Sequence, residues 1–414
     1  MEQEPAVPSY VLRGHESPIH ALHLYAGNTY LVSGDSEGWI VIWSLSSKRP
    51  AATWKAHVGG VMQIKHWTDE RLVRCVDVSF LIKLSLMWLA SHGRDHKLRV
   101  WKVQSEDFAG LSTKLPADGA LPDQTQPWLL HSCSVNALNF CAFSLCDEDA
   151  QQPAIKEPTP QLVASPNGLD SGGIDIFQLP SERRVSQIHA DKNTTSGMVM
   201  AVSLFHETSS SRLVLVSGYE DGRVMVHIHQ GDLGANGQWQ KLMAGKPHTQ
   251  PVLSVDILPS KEHFISSSAD ATIAKYPLLL SENPSETQSE VQPERAMKTK
   301  HAGQQGLSIR CDGKIFATAG WDGRVRVYSS KTMNQLAVLK WHKVGCYATA
   351  FADVHSRTGD PEPGSDSPSH TSTELIQPHN ALIAIKRQRE EKARSTHWLA
   401  AGGKDGKISL WDIY

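Results

Sequence analysis

The chain has 414 residues, is 40% hydrophobic and 20% charged, and sets 41 Lys plus Arg against 43 Asp plus Glu for a formal net charge of −2. That balance excludes the broad basic field with which a protein grips phosphate, so no direct nucleic-acid partner is expected. The six cysteines, at 75, 133, 141, 146, 311 and 346, include no Cys-x-x-Cys pair or zinc spacing and read as reduced thiols.

In chain order, Met1-Glu2-Gln3-Glu4-Pro5 is acidic and broken by proline, unlike a secretory signal, so the protein is expected inside the cell and residues 1–8 read as a tail. Ser9-Tyr10-Val11-Leu12 then has strand character but no repeat of its own. From Gly14-His15 onward one unit recurs seven times. A His is followed by an alternating apolar strand, an apolar-Ser/Ala-Gly strand, a tight turn, and a β-rich strand ending in an aromatic or a His. The first copy runs from His15 through Leu31-Val32-Ser33-Gly34 to Trp39-Ile40-Val41-Ile42-Trp43. His15 to Trp43 and His248 to Tyr276 share one spacing, and His301 to Tyr328 falls one residue short of it. The remaining starts are His57, His131, His189 and His342, with ends at Trp101, Phe177, His227 and Trp411. Length alone would suggest several domains, but fixed-period repetition predicts one all-β fold over 9–414, a seven-bladed β-propeller.

An Asp stands six positions before the terminal residue in five copies, at Asp95, Asp221, Asp270, Asp322 and Asp405. Glu37 takes the position in the first copy, and the third has Ser171 there with Asp170 beside it. A buried polar group must be paired, so this Asp is expected to accept hydrogen bonds from the His at the start of its unit. His15, His57, His248, His301 and His342, with Trp101 and Trp411, complete that blade signature. The chain ends on Ile408-Ser409-Leu410-Trp411, the third strand of a blade without a fourth. Residues 9–12 are therefore expected to supply it and close the ring.

The second copy is too long. Removing 74–90 restores the common spacing, so that stretch reads as an insertion, even as a translated unspliced intron, or else as an extra strand. The apolar run at 72–90 contains Arg74, Asp77 and Lys83, which argues against a membrane span. Stretches 104–126, 146–160, 277–299 and 355–396 are loop insertions, chiefly rich in Pro, Ser, Glu, Asp and Gln, and are expected to be disordered. Within the last, 381–394 consists of helix formers with Lys386/Glu390 and Arg387/Glu391 at i, i+4, so a short solvated helix is predicted there.

Several stretches bear a more specific likeness. Leu12-Arg13-Gly14-His15-Glu16, Ser33-Gly34-Asp35-Ser36-Glu37-Gly38-Trp39, Trp54-Lys55-Ala56-His57, Ser91-His92-Gly93-Arg94-Asp95-His96-Lys97 and Ala401-Gly402-Gly403-Lys404-Asp405-Gly406-Lys407 resemble the fungal ASTRA-associated protein 1 family of WD-repeat proteins. They are also similar to the animal G-protein β-subunit-like protein 1. The insertion at 74–90 departs from the family pattern. The resemblance implies a subunit of the ASTRA assembly, a nuclear complex linked to chromatin regulation and to the co-chaperones that mature phosphatidylinositol-3-kinase-like kinases. It therefore implies other proteins as partners, ASTRA subunits and kinase co-chaperones among them, and residence in the nucleus, with the cytoplasm as a second location.

No enzyme is expected, and no catalytic residue, cofactor or metal. Of the twenty histidines, seven stand at repeat starts and His227 at a strand end, positions that repeat register explains, and His92 and His96 bracket Asp95 without a third ligand at metal spacing. Gly402-Gly403-Lys404-Asp405-Gly406-Lys407 lacks the spacing of a phosphate loop, and no Gly-x-Ser-x-Gly elbow occurs. A G-protein β subunit would need an N-terminal coiled coil, for which the proline-broken residues before Gly14 leave no room. The alternative of a propeller substrate receptor for a cullin-type ubiquitin ligase would favour Trp-Asp-x-Arg, whereas the chain has Trp411-Asp412-Ile413-Tyr414. If partners dock on the ring's narrow face, Trp39, Trp321 and Lys404 are the candidate contacts, although the two Trp side chains could equally pack between blades.

Overall fold

The computed structural model describes residues 6–74, 81–136, 141–149, 159–191, 194–234, 238–278, 290–354 and 378–413, with backbone alone at 68–74, 81–87 and 378–381. Among these residues the strands form seven antiparallel sheets of four. Blade one comprises Ile19–Tyr25, Tyr30–Asp35, Trp39–Ser44 and Arg49–Lys55, and the other blades repeat this meander. Adjacent blades bury one apolar cluster at each of the seven seams, for example Trp54, Val61, Ile64, Leu89 and Trp101 between blades one and two. Each blade is thus sandwiched between neighbours, and the alternating apolar strands of the sequence bury both faces.

The ring closes through the N-terminal strand Tyr10–Arg13, which pairs antiparallel with the third strand of blade seven, from Tyr10 opposite Leu410 to Arg13 opposite Lys407. Leu12 enters the cluster between blades seven and one at 1% exposure. The predicted fold class, a propeller closed by its N-terminal strand, is what the structure has.

The excess length of blade two adds no strand. It lengthens two, Val61–Arg74 and Leu81–Gly93, into a ribbon that leaves the sheet in unbroken register from Gln63 opposite His92 to Arg74 opposite Leu81. In blade one the corresponding turn begins after Tyr25 and ends before Tyr30. By register, the added chain therefore lies between Trp67 and Trp88, not at 74–90. Leu89 and Ala90 are fully buried blade residues that a cut at 74–90 would remove.

Segment 104–126, expected to be disordered, is an ordered strap. It turns through two short 3-10 helices, Ser105–Gly110 and Pro116–Asp118. The outer strand of blade one donates Thr53 N–H to Ser112 O at 2.7 Å, and the Gln124 amide donates to Thr53 O at 2.6 Å. Phe108 and Leu111 pack on the first seam and Leu115 on the closing seam. Its apolar residues, sparse in sequence, have an open strand edge to cover. The 277–299 stretch likewise contains the outer strand of blade five, Arg295–Lys298, too short and polar to announce itself. The loop stretches at 150–158, 279–289 and 355–377 lie outside the described residues.

The predicted helix exists as Pro378–Ser395, between the first two strands of blade seven. Among the described residues its anchors lie in the last turn. Ala393 is buried, the Trp398 indole donates to Ala393 O at 3.0 Å, and Asn28 donates to Arg394 O at 3.2 Å.

Candidate protein-docking face and the polar relays beneath it

The blade signature becomes a chain of hydrogen bonds in blade one. The Trp43 indole donates to Ser33 Oγ at 2.8 Å, Ser33 lies 2.7 Å from His15 Nε2, and His15 Nδ1 lies 2.6 Å from Asp35 Oδ2. The indole can only donate, so the hydroxyl proton is free to go to Nε2 and the neutral imidazole then donates from Nδ1 to the carboxylate. Asp35 Oδ1 also accepts the Glu37 and Trp39 N–H groups at 3.0 Å. The carboxylate of this relay is therefore Asp35, and Glu37, assigned to it on spacing, is exposed. Asp35 stands where blade two has Gly93, two positions ahead of the usual Asp, and reaches the same His from there.

Blade two has the relay in its expected form, with Trp101 to Ser91 at 2.9 Å, Ser91 to His57 at 2.8 Å and His57 to Asp95 at 2.9 Å. Burial lowers the His57 pKa. Burial alone would raise that of Asp95, but the hydrogen bonds and charges of His57 and Arg99 outweigh it and hold the carboxyl well below the usual range. Blade seven keeps the chemistry with one member moved. His342 and Trp411 both bond Ser409 Oγ at 2.9 Å, and Ser409 lies on the third strand directly opposite Ala401, the position of the serine in blades one and two. His342 Nδ1 faces Asp405 Oδ1 at 3.4 Å. Blade five joins His248 to Ser266 at 2.9 Å and to Asp270 at 3.4 Å, with Tyr276 in place of Trp.

The other blades are built differently. His131 is not the start of blade three. It lies on the outer strand of blade two opposite Val100, and Asn136 holds the buried entrance position, donating to Asn167 O at 2.9 Å. Val135 N–H donates to His96 O as Ala56 N–H does to Gly38 O, which fixes the alignment. His189 is exposed, and Asp221 of blade four meets Arg223 and Lys246 instead of a histidine. In blade six the buried Arg326 takes the Asp322 carboxylate at 2.6 Å, leaving the half-exposed His301 3.7 Å away.

These relays tie down the turns that form one face of the ring. Of the candidate contacts there, Trp39 is buried at 7% exposure with the Lys55 ammonium 5.4 Å from its ring centre, whereas Trp321 is 47% exposed and Lys404 is exposed. The central channel, a cavity of about 210 Å³, receives residues from all seven blades and has a largely polar lining that includes Lys65 and Asp256. The Asp256 carboxylate accepts the Ile257 and Ile309 N–H groups at 2.9 and 2.7 Å. Among the described residues no cluster of three His, Cys, Asp or Glu is arranged to hold a metal. Burial pushes the Cys133 and Cys346 thiols up to about 12, away from nucleophilic thiolate character.

Fold and relays together define a seven-bladed β-propeller that presents a face of tethered turns. Compared with known families, residues 8–411 match the model of ASTRA-associated protein 1. Proteins of that name from Penicillium rubens and Aspergillus niger are each 48% identical to this chain, over 100% of it and 98% of their own length. The one from Schizosaccharomyces pombe is 32% identical over 98% of this chain and 99% of its own. The chain belongs to the ASTRA-associated protein 1 family.

Proposed function

We propose that this chain is a non-catalytic scaffold of the WD-repeat kind that serves as a subunit of the ASTRA complex, working in the nucleus in chromatin regulation and in the maturation of phosphatidylinositol-3-kinase-like kinases. The observation that carries the reading is the family match over almost the whole chain to proteins named for association with ASTRA. The architecture agrees with it, since a rigid ring whose turns are pinned from below needs no chemistry to hold other proteins in place. Partners by this reading are other ASTRA subunits and kinase co-chaperones.

Tagged protein purified from nuclear extract at moderate salt, with co-purifying proteins identified by mass spectrometry, tests it. ASTRA subunits and kinase co-chaperones are expected. Recovery of a cullin-ligase adaptor in their place would move the chain to the class of substrate receptors. Fluorescence of the tagged chain in living fungal cells checks the location, and exclusion from the nucleus would refute that part.

A further inference from the structure

The exposed charges of the docking face are unevenly distributed. Around the entrances of blades five to seven, Lys300, Lys343 and Lys404 are exposed and have no carboxylate partner among the described residues. The neighbouring carboxylates are already occupied. Asp322 faces Arg326 at 2.6 Å, His301 at 3.7 Å and Arg324 at 4.0 Å. Asp405 faces Lys407 at 3.1 Å and His342 at 3.4 Å, and Asp270 accepts from Thr249 and Thr272 as well as facing His248. At its two ends stand exposed carboxylates, Glu16 and Glu37 of blade one and Glu220 of blade four; Glu16 directly adjoins the blade-seven turn, where a Cβ on Gly406 would lie 3.4 Å from its carbonyl carbon.

The arc is continuous and rigid. Lys404 N–H donates to Gly345 O at 2.8 Å, a Cβ on Gly345 would sit 3.1 Å from Trp321 O, and Trp321 N–H donates to Gly303 O at 3.0 Å. The Trp321 ring rests directly on Gly303, where a Cβ would come within 2.1 Å of it, and its indole donates to Gln305 Oε1 at 2.9 Å. One face of a fixed aromatic is thus left open amid unpaired lysines, beside Val344 at 39% exposure.

We propose that the arc of Lys300, Trp321, Lys343 and Lys404 is the docking site for an extended acidic segment of a partner protein, with Trp321 seated against an aliphatic side chain of that segment. The inference rests on the scaffold reading and gives the partner its chemistry. Surplus positive charge selects carboxylates and speeds encounter, and a held aromatic gains contact area with little entropy to lose. Three lysines around one aromatic offer no base-stacking series and no path along a phosphate backbone, so a peptide fits better than a nucleic acid.

The test uses the full chain and a fluorescein-labelled twelve-residue peptide of Glu and Asp with one central Leu, read by anisotropy. The triple reversal K300E/K343E/K404E is expected to weaken binding at least tenfold with the thermal midpoint unchanged. Trp321→Ala should weaken it about fivefold, and Gly303→Ala, which unseats the indole without altering charge, should do the same. Equal binding by wild type and the triple variant, or tighter binding of a twelve-residue oligothymidylate than of the peptide, overturns the proposal. Carrying the triple variant through the tagged purification separates the two readings. ASTRA subunits retained by it overturn the arc alone, whereas their absence from the wild-type preparation overturns complex membership and leaves the peptide measurement to judge the arc.

Discussion

Blades one and two join strands and entrance loop through a complete His, Ser, Trp and Asp chain, blade seven has the same four residues with His342 Nδ1 facing Asp405 at 3.4 Å, and among the described residues blades three, four and six have no such chain. These three blades are contiguous, and blades seven and one flank the seam that the N-terminal strand closes. Blade four shows what replaces them. Ser217 remains, but it bonds the Tyr219 hydroxyl, and Tyr219 fills the position that Asp35 holds in blade one. The contrast teaches that a buried relay member is kept where it has a partner: blade five exchanges Trp alone for Tyr276 and keeps His248 joined to Ser266 and Asp270, and Ser217 of blade four turns to Tyr219, because a buried donor or acceptor left unpaired is costly.

The largest effect that would break this contrast comes from the aromatic ends. Trp43→Ala should cost about 3–5 kcal/mol, and Phe177→Ala, at the matching but half-buried position of blade three, clearly less, in denaturant unfolding. Similar losses would mean that the relay blades have no special place in stability. At the hydroxyl, Ser33→Ala leaves both His15 Nε2 and the Trp43 indole without a partner and should cost about 1–3 kcal/mol, while Ser217→Ala, which strands the Tyr219 hydroxyl alone, should cost about 1 kcal/mol or less.

Blade seven allows a rescue. Ser409→Ala should cost about 1–3 kcal/mol, and adding Ala401→Ser, directly across the strand pair, should recover most of it. Absence of coupling in the double-mutant cycle would show that the two register positions are not interchangeable.

The pH dependence follows from the buried groups. Burial brings His92 and His227 down to about 4, so each stays neutral in the fold below pH 6.5 while the unfolded chain gains a proton. Their contribution is complete above pH 6.5 and lost as pH falls toward 4, about 2 kcal/mol each by pH 5. For Asp270, burial would raise the pKa, but the bonds from His248, Thr249 and Thr272 bring it down to about 2, so its contribution is lost only between about pH 4 and 2. His92 is fully buried and neither ring nitrogen has a partner among the described residues. His92→Leu should therefore change stability little at pH 8 and flatten the decline between pH 6.5 and 5, and an unchanged slope in pH-dependent melts would place that titration elsewhere.

Repeat spacing made the seven-unit fold and its closure readable, because strand alternation and a buried His are both set by local geometry. Relay members proved less readable wherever a residue reaches the same partner from a different register position. Asp35 replaces the expected Glu37, and Ser409 stands across from its usual place. The signal was present in Ser33-Gly34-Asp35, an Asp where blades two, six and seven have Gly93, Gly320 and Gly403. Asn136 was passed over for His131 because a histidine near a strand looked like the repeat marker, and only backbone pairing shows which residue stands at the entrance. The proposed docking arc was partly legible. Trp321 and Lys404 were singled out by chain position, but Lys300 and Lys343 were not, since surplus charge appears only when each carboxylate's neighbours are known.

The strand Tyr10–Arg13 also sets a clock. It leaves the ribosome ahead of all seven blades, yet its partner Lys407–Leu410 emerges only with the last of them. At roughly 5–20 residues per second, that delay is on the order of half a minute. Throughout it the nascent ring is open, Leu12 has no seam to enter, and the edge it will cover does not yet exist. Conditions that slow translation of blade seven should therefore prolong the aggregation-prone stage without changing the finished protein.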